Sequence, residues 1–428
     1  MLDPYKKLRL LLVLTEFPPN IGGMQTHARY LSDHLSQAGH DVRVVTYYLA
    51  SSEEKQEAKE IDDKFGFKVN RSLSRISYWH NIEIIKRISR EFKPDLIYCS
   101  TVFYGLLRDR INVPIVCRSV GNDILRPWIA YPFHVGSRLL GASGLDNWAY
   151  SVFKGMNYPE WLDLFFERKR RALVEQSIRW IDVVIANSEF TAGLFDDLGI
   201  GEDRIQVLVG GVDAHRFAPT KNKQLELRRE LGIDEDAYVI TTVCRLVAKK
   251  GVDFLLRTFP AVQGLLPKAH LLIVGEGKNS KRYRRLAEEL ELDRVTFAGR
   301  IDHQQVQRYY WLSDLFVLAS RVKVNPITNQ RDAETMGRVL CEANAAGIPV
   351  IAARSGGIPS VITHNKNGLL FNSDDEGDFL EQLRRMRGEP ALAQSLADNG
   401  VQLARKKFDW SVVLAAHENY FREVVSAA

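Results

Sequence analysis

Short uninterrupted apolar runs alternate along this chain with longer stretches whose apolar side chains recur at helical spacing. An apolar run hides both its faces only inside a sheet covered on two sides. The periodic stretches between runs supply the crossover helices that parallel strands require. In the first half, strands are predicted over 8–15, 42–47, 95–100, 113–117, 183–187 and 205–209, with helices over 24–37 and 82–91 among them. A second series of runs occupies 238–244, 271–274, 295–297, 315–319 and 350–353. The pattern predicts an α/β protein of two doubly wound, Rossmann-like units in tandem. The charged stretch 51–64 has no apolar stripe and reads as a solvated loop or a short surface helix. No period of about 20–50 residues recurs, which argues against a solenoid.

Length supports the division. A hydrophobic core stops growing at roughly 250–300 residues, so a chain of 428 needs more than one. The join falls within 213–236, where Ala218-Pro219-Thr220-Lys221-Asn222-Lys223 is polar and aperiodic. Placed near residue 217, it gives a first domain of 1–216 and a second of 217–409. Ligands of open parallel sheets gather beyond the carboxyl ends of the strands, so two such units facing each other are expected to enclose a cleft.

Composition closes off other classes. With 45% hydrophobic and 26% charged residues the chain is neither disordered nor fibrous. Cys99, Cys117, Cys244 and Cys341 are scattered and show no ligand spacing, which predicts reduced thiols and no metal centre. No stretch approaches the roughly 20 apolar residues of a membrane-spanning helix. The run 8–15 is interrupted by Arg9 and closed by Glu16, so it reads as a first strand rather than a leader peptide, and the expected location is cytoplasmic. A net charge of +5 suits a protein that meets phosphates or an anionic surface, although scattered solvated lysines and arginines explain it equally well. Nucleic acid is not an expected partner.

Candidate chemistry sits at predicted strand ends. Pro18-Pro19-Asn20-Ile21-Gly22-Gly23-Met24 joins the first strand to the first helix; its glycines let backbone approach a ligand and leave helix amides open to an anion, or simply make a tight turn. In Arg245-Leu246-Val247-Ala248-Lys249-Lys250-Gly251, Arg245 and Lys250 stand just before a helix. Positive charge there opposes the helix dipole unless an anion is present, which favours a diphosphate over a merely solvated loop. Gly275 and Gly277 follow the next strand and Gly299-Arg300-Ile301 the one after; each is weak alone, and the recurrence is the stronger signal. The most specific segment, 333–352, holds Glu334, a helix starting near Gly337 and ending at Gly347, and Glu342. On one continuous helix the two glutamates would lie about 12 Å and about 80° apart, too far to share a proton or a metal ion. The spacing fits two separate anchors on a long ligand, with the amides of Gly337, Arg338 and Val339 toward its anionic middle, or two unrelated glutamates beside a core helix.

With this segment in view, the chain resembles the retaining glycosyltransferases of family 4, also called glycosyl transferases group 1, over nearly its whole length. The residues that carry the likeness are Gly22-Gly23, Asn187-Ser188-Glu189, Gly210-Gly211-Val212-Asp213 with Phe217, the loop 245–251, the turn 274–277, Glu334 with Glu342, Gly356-Gly357-Ile358-Pro359, and Phe408-Asp409-Trp410. The resemblance implies the GT-B fold: an acceptor-binding first domain, a donor-binding second domain, and a terminal helix, 410–428, that packs back on the first. It implies transfer of a hexosyl-type sugar from a UDP- or GDP-sugar to a hydroxyl of a glycan, lipid-linked or small-molecule acceptor, with no cofactor and no metal. By the same resemblance Arg245 and Lys250 bind the diphosphate, Glu342 the ribose and Glu334 the donor sugar, so that Glu334, Arg245 and Lys250 carry the chemistry. Gly22, Gly23, Gly275, Gly277, Arg300, Ile301 and the amides of Gly337, Arg338 and Val339 complete the donor site.

The departures fall on the acceptor side. Many relatives carry a histidine in an H-G-x-D-like segment; here Arg118-Ser119-Val120-Gly121-Asn122-Asp123 places Val120 there, so no acceptor-activating histidine is expected. Arg118, Asn122 and Asp123 are acceptor-side candidates, Asp123 equally as a buried or capping aspartate. The polar stretch 321–332 reads as a lid, an acceptor contact or a surface insertion. Least family-like is 128–166, with Trp128, Tyr131, Phe133, Trp148, Tyr150, Phe153, Tyr158, Trp161, Phe165 and Phe166 ahead of Arg168-Lys169-Arg170-Arg171. Core packing, a sugar-stacking platform and peripheral contact of 128–171 with an anionic membrane stay open. So do a nucleotide-sugar epimerase and a non-catalytic sugar-nucleotide-binding protein on the same fold. Base, sugar, linkage and oligomeric state are not legible.

Overall fold

The computed structural model describes residues 6–20, 22–141, 143–156, 159–220, 224–325 and 330–427. Of the positions read from the sequence, Ile21, Tyr158, Lys221, Asn222, Lys223 and part of the polar stretch, 326–329, lie outside the described residues. The chain divides into two compact units, Met1–Leu208 with Leu414–Ala428, and Val209–Val413.

In the first unit, β1 (Arg9–Val13) leads through α1 (Gly23–Gln37) to β2 (Asp41–Tyr47), α2 (Ser52–Asp62), β3 (Lys68–Leu73), α3 (Tyr78–Phe92) and β4 (Leu96–Cys99). A 3-10 turn, Val102–Leu107, then precedes β5 (Ile115–Ser119), α4 (Asn122–Leu125), α5 (Ser143–Gly155) and α6 (Glu160–Arg179). The sheet closes with β6 (Val183–Ala186), α7 (Glu189–Asp196) and β7 (Ile205–Val207). Its strands are parallel, in the order β3-β2-β1-β4-β5-β6-β7. Leu11, Val13, Ile97, Cys99 and Ile115 are fully buried in one core, which is why these strands read as continuous apolar runs. The edge strand β3, Lys-Val-Asn-Arg-Ser-Leu, is mostly half-buried and leaves no such signal. Residues 51–64 hold α2, capped reciprocally by Ser51 and Glu54; Ala58 is its buried residue, so it lacks an apolar stripe.

The second unit runs through α8 (Leu225–Glu230), β8 (Tyr238–Val243), α9 (Val252–Leu265), β9 (Ala269–Val274), α10 (Ser280–Glu289), β10 (Val295–Gly299), α11 (Gln307–Trp311) and β11 (Leu315–Leu318). A small hairpin of β12 (Lys323–Val324) and β13 (Arg331–Asp332) occupies the polar stretch. It is followed by α12 (Arg338–Ala345), β14 (Val350–Arg354), β15 (Leu369–Asn372), α13 (Glu376–Gly388), α14 (Pro390–Leu403) and α15 (Trp410–Ala427). The parallel order β10-β9-β8-β11-β14-β15 is that of a dinucleotide-binding sheet. The edge strand β15 is buried but only four residues long, too short for a pattern to reveal.

The change of unit falls at Leu208 and Val209 rather than near residue 217. The amides of Gly211 and Val212 donate to the Phe408 carbonyl (2.8 and 3.0 Å) and the Trp410 amide to that of Val212 (3.0 Å), so backbone pairing draws this stretch into the second unit. The later part of α15 belongs to the first: Glu418 meets His34 (3.0 Å) and His40 (3.2 Å), and Phe421 packs on Tyr98 (ring centroids 5.4 Å).

Candidate active site

In both sheets the chain reverses direction beside the first strand, β1 between β2 and β4, β8 between β9 and β11. The crevice at such a reversal is where open parallel sheets hold ligands. Beyond β8, Gly275 takes a φ of 128°, and a methyl group there would sit 2.0 Å from the Cys244 carbonyl oxygen, so only glycine lets the loops after β8 and β9 lie backbone against backbone. The β8 loop carries Arg245, Lys249 and Lys250, and the two lysines divide the work. The buried ammonium of Lys249 donates to the Ala333 carbonyl (2.9 Å) and pairs with Asp332 (2.8 Å), fastening the segment that leads to Glu334. Lys250 forms an ion pair with Glu334 itself, their side chains only 11% and 13% exposed. Arg245 is exposed and makes no ion pair among the described residues.

Burial pushes the Glu334 carboxyl up, but Lys250, Lys249 and Arg245 together outweigh it and hold it below its ordinary value. Its main chain is clamped as well: the Glu334 carbonyl accepts from the Gly357 amide (2.8 Å), and a Cβ on Gly356 (φ 53°) would lie 2.1 Å from that oxygen. The Gly-Gly-Ile-Pro segment thus positions Glu334 from behind.

Glu334 lies in the loop before α12, so no continuous helix joins the two glutamates. Gly337 is the left-handed N-cap of α12, and no side chain caps its amides. Glu342 is buried one turn into the helix, accepting from the Tyr310 hydroxyl (2.7 Å) with the Arg338 guanidinium 3.6 Å away. His303 is close by in charge: burial lowers its pKa, Glu342 opposes, and Arg338 and Arg216 reinforce, with Arg216 hydrogen-bonded to its Nδ1 (2.9 Å). Gly277 follows β9, exposed Arg300 follows β10, and Ile301 packs on the Leu227 and Val239 cluster. Lys249 and Tyr310 escaped the sequence reading, with the doubled lysine the only hint of the first, and Gly356 stands there as part of the family likeness without a role.

In the first unit, Gly22 precedes α1 in extended backbone and Gly23 begins the helix. A Cβ on Gly22 would strike Gln25, whose amide donates to Glu16 (2.5 Å). Asp123 is fully buried, accepting from the Ser119 hydroxyl (2.6 Å) and the Val102 amide (3.2 Å) while burial raises its pKa to about 6. It braces the turn between β5 and α4, with Arg118, Val120 and Asn122 half-buried around it. A pocket missed by sequence opens at the ends of β2 and β3, lined by Tyr47, Ser74, Arg75, Asn81, Tyr104 and Trp128 among others. The Arg75 guanidinium lies 5.0 Å from the Tyr47 ring centroid and offsets part of the rise that burial imposes on Glu16. Beside the pocket, buried Asp146 of α5 accepts from Tyr48 and from Ser74 (2.7 Å), and burial raises its pKa to about 7.

Two Rossmann-like units in tandem are the architecture of the GT-B fold. Solved structures bear the fold out. A glycosyltransferase from Rickettsia africae matches with a TM-score of 0.70 at 18% identity, over 99% of this chain and 100% of its own. An Anabaena protein crystallised with UDP and glucose matches with 0.67 at 18%, over 97% and 99%. The family described as Glycosyltransferase Family 4 matches residues 21–216, and that described as Glycosyl transferases group 1 matches residues 223–403. The chain belongs to this family and is a glycosyltransferase. Among its curated relatives, a GDP-mannose-dependent monoacylated alpha-(1-6)-phosphatidylinositol monomannoside mannosyltransferase of Corynebacterium glutamicum is 26% identical over 95% of both chains. A sulfoquinovosyl transferase of Arabidopsis thaliana is 25% identical over 96% of this chain and 73% of its own.

Proposed function

We propose that this enzyme transfers a sugar from a nucleoside-diphosphate donor to a hydroxyl of a lipid-linked acceptor at a membrane surface, with retention at the anomeric carbon. One observation carries the reading: a largely covered Lys250–Glu334 pair, with exposed Arg245 on the same loop and the uncapped start of α12 following Glu334. The donor diphosphate brings Arg245 an anion and gives Lys250 a second one beside Glu334, and the amides of Gly337, Arg338 and Val339 face it. As the bond to the anomeric carbon breaks, charge grows on the leaving diphosphate, and these fixed cations and dipoles stabilise it without reorganising. Glu334, held ionised, accepts from hydroxyls of the donor sugar and favours the positive charge developing on its ring. Glu342, oriented by Tyr310, accepts from the ribose. The acceptor hydroxyl attacks the face that the diphosphate leaves and gives its proton to a departing phosphate oxygen, so the scheme needs neither a protein base nor a metal ion.

One relative is named as a GDP-mannose-dependent mannosyltransferase of a phosphatidylinositol monomannoside, which motivates the lipid-linked acceptor and makes GDP-mannose the first donor to try. The decisive test is thermal stabilisation by GDP-, UDP- and ADP-sugars. One donor should raise the melting temperature, and Arg245→Ala and Lys250→Ala should each weaken it about 10- to 100-fold, as expected for charge-assisted hydrogen bonds. Glu334→Gln should still bind the diphosphate yet lose about 100- to 1,000-fold in transfer. A protein that none of the donors stabilises at millimolar concentration would overturn the proposal.

A further inference from the structure

We infer that α5 and α6 form a docking face for an anionic lipid bilayer. The inference deepens the lipid-linked reading of the acceptor and rests on it for its biological sense, while its physics comes from an inverted helix. A surface helix ordinarily turns its polar side chains to water. Along α5 the exposed side chains at helical spacing are Leu145, Trp148 (68%) and Val152, with Met156 just past the end. The stripe resumes on α6 with Trp161 (69%) and Phe165, one turn apart, and the stretch before α5 adds Val135 and Leu139. The aromatic residues of this region are therefore of two kinds. Phe133 packs inward on Phe166 (5.5 Å between ring centroids), whereas Trp148 and Trp161 have most of their surface free.

Charge selects the occupant. Arg168 follows Phe165 by three residues and Lys169 by four, both exposed, and exposed Arg138 stands beside Leu139. The stripe thus passes from apolar to cationic, the sequence of chemistry met on entering an anionic headgroup layer from the acyl side. At 100° per residue, Glu160 and Asp163 fall on other sides of α6 than the line of Trp161, Phe165 and Arg168. A second copy is the weaker occupant, because a two-fold interface would set these cations against themselves. Among the described residues no helix is long and apolar enough to cross a membrane, so the contact lies along the surface. Asp146 ties α5 to Tyr48 and Ser74, hence a bilayer that holds α5 holds the ends of β2 and β3 close to it.

The test is sedimentation of the full chain with vesicles of phosphatidylcholine alone or mixed with phosphatidylglycerol. Binding is expected to the mixed vesicles, with tryptophan emission quenched by brominated lipid. Trp148→Ser with Trp161→Ser should weaken binding at least about tenfold, and Arg168→Gln with Lys169→Gln roughly fivefold per cation removed. Both variants should keep the donor-induced rise in melting temperature, which shows that they fold. Binding that ignores lipid charge, or that survives loss of both tryptophans, overturns the inference. So does a concentration-dependent dimer abolished by the tryptophan changes with no vesicle binding, which would assign the face to a second copy. Vesicle binding in a protein that no donor stabilises would instead spare this face and sink the donor reading.

Discussion

Lys249 and Lys250 are adjacent, yet the first is held by Asp332 and the Ala333 carbonyl while the second meets Glu334. Their substitutions should therefore separate stability from chemistry. Lys249→Ala removes the ammonium that a buried carbonyl and a half-buried carboxylate share and should cost about 2 kcal/mol in a urea titration. Arg245→Ala, at an exposed position, should cost less than about 0.5 kcal/mol while losing donor affinity. Gly356→Ala would press a Cβ against the Glu334 carbonyl at a φ of 53°. Transfer should fall about 100-fold through misplacement of the carboxylate, with diphosphate binding little changed. The pH dependence follows in sign. Because the Glu334 carboxyl is held below its ordinary 4.5, its ion pair is fully present above that value and is lost only as pH falls through the lowered one. An acid limb of transfer set by Glu334 must then lie below about pH 4.5; a limb near neutrality would assign it to another group.

At the scale of elements, α5 is the telling case. Its apolar positions suggest core, but Leu145, Trp148 and Val152 face outward, and the buried carboxyl of Asp146 ties it to Tyr48 and Ser74 just beyond β2 and β3. Burial raises that carboxyl to about 7, so the folded state favours the proton. The sign runs opposite to Glu334: the docking of α5 is tightest below the ordinary 3.8, weakens as pH climbs from there to about 7, and levels off above it. Amide exchange over 143–155, corrected for intrinsic rate, should show less protection at pH 8 than at pH 6, and Asp146→Asn should erase the difference. Strands such as β1 and β8 were legible because both faces are covered, whereas β3 is a half-buried edge and β15 is short. Nothing in the spacing of Tyr310 and Glu342, or of Ser74 and Asp146, announces that they touch; such pairs are made by crossovers that bring distant loops to one end of a sheet.

For the molecule as a whole, the last helix completes the first unit. Burial raises the Glu418 carboxyl, but Arg422, His40 and His34 outweigh it and hold it below its ordinary value. Its contribution to stability is therefore present above that value and lost as pH falls through the lowered one. Glu418→Gln should lower the melting temperature by a few degrees at pH 7, and the gap to the unaltered protein should close near pH 4. Both families' matches, at 21–216 and 223–403, stop short of this helix, though its packing on Tyr98 and His34 makes it part of the first unit's core.

The order of apolar runs and glycines by itself determined two parallel α/β units and the strand ends where chemistry collects, because burial on both faces and close backbone approach leave marks in single residues. Which carboxylate would stay charged, which aspartate would serve as a brace, and which tryptophans would stand in water were decided only by tertiary structure. Those outcomes depend on the summed field and crowding of side chains far apart in the chain. A sequence names the groups, but not the distances between them.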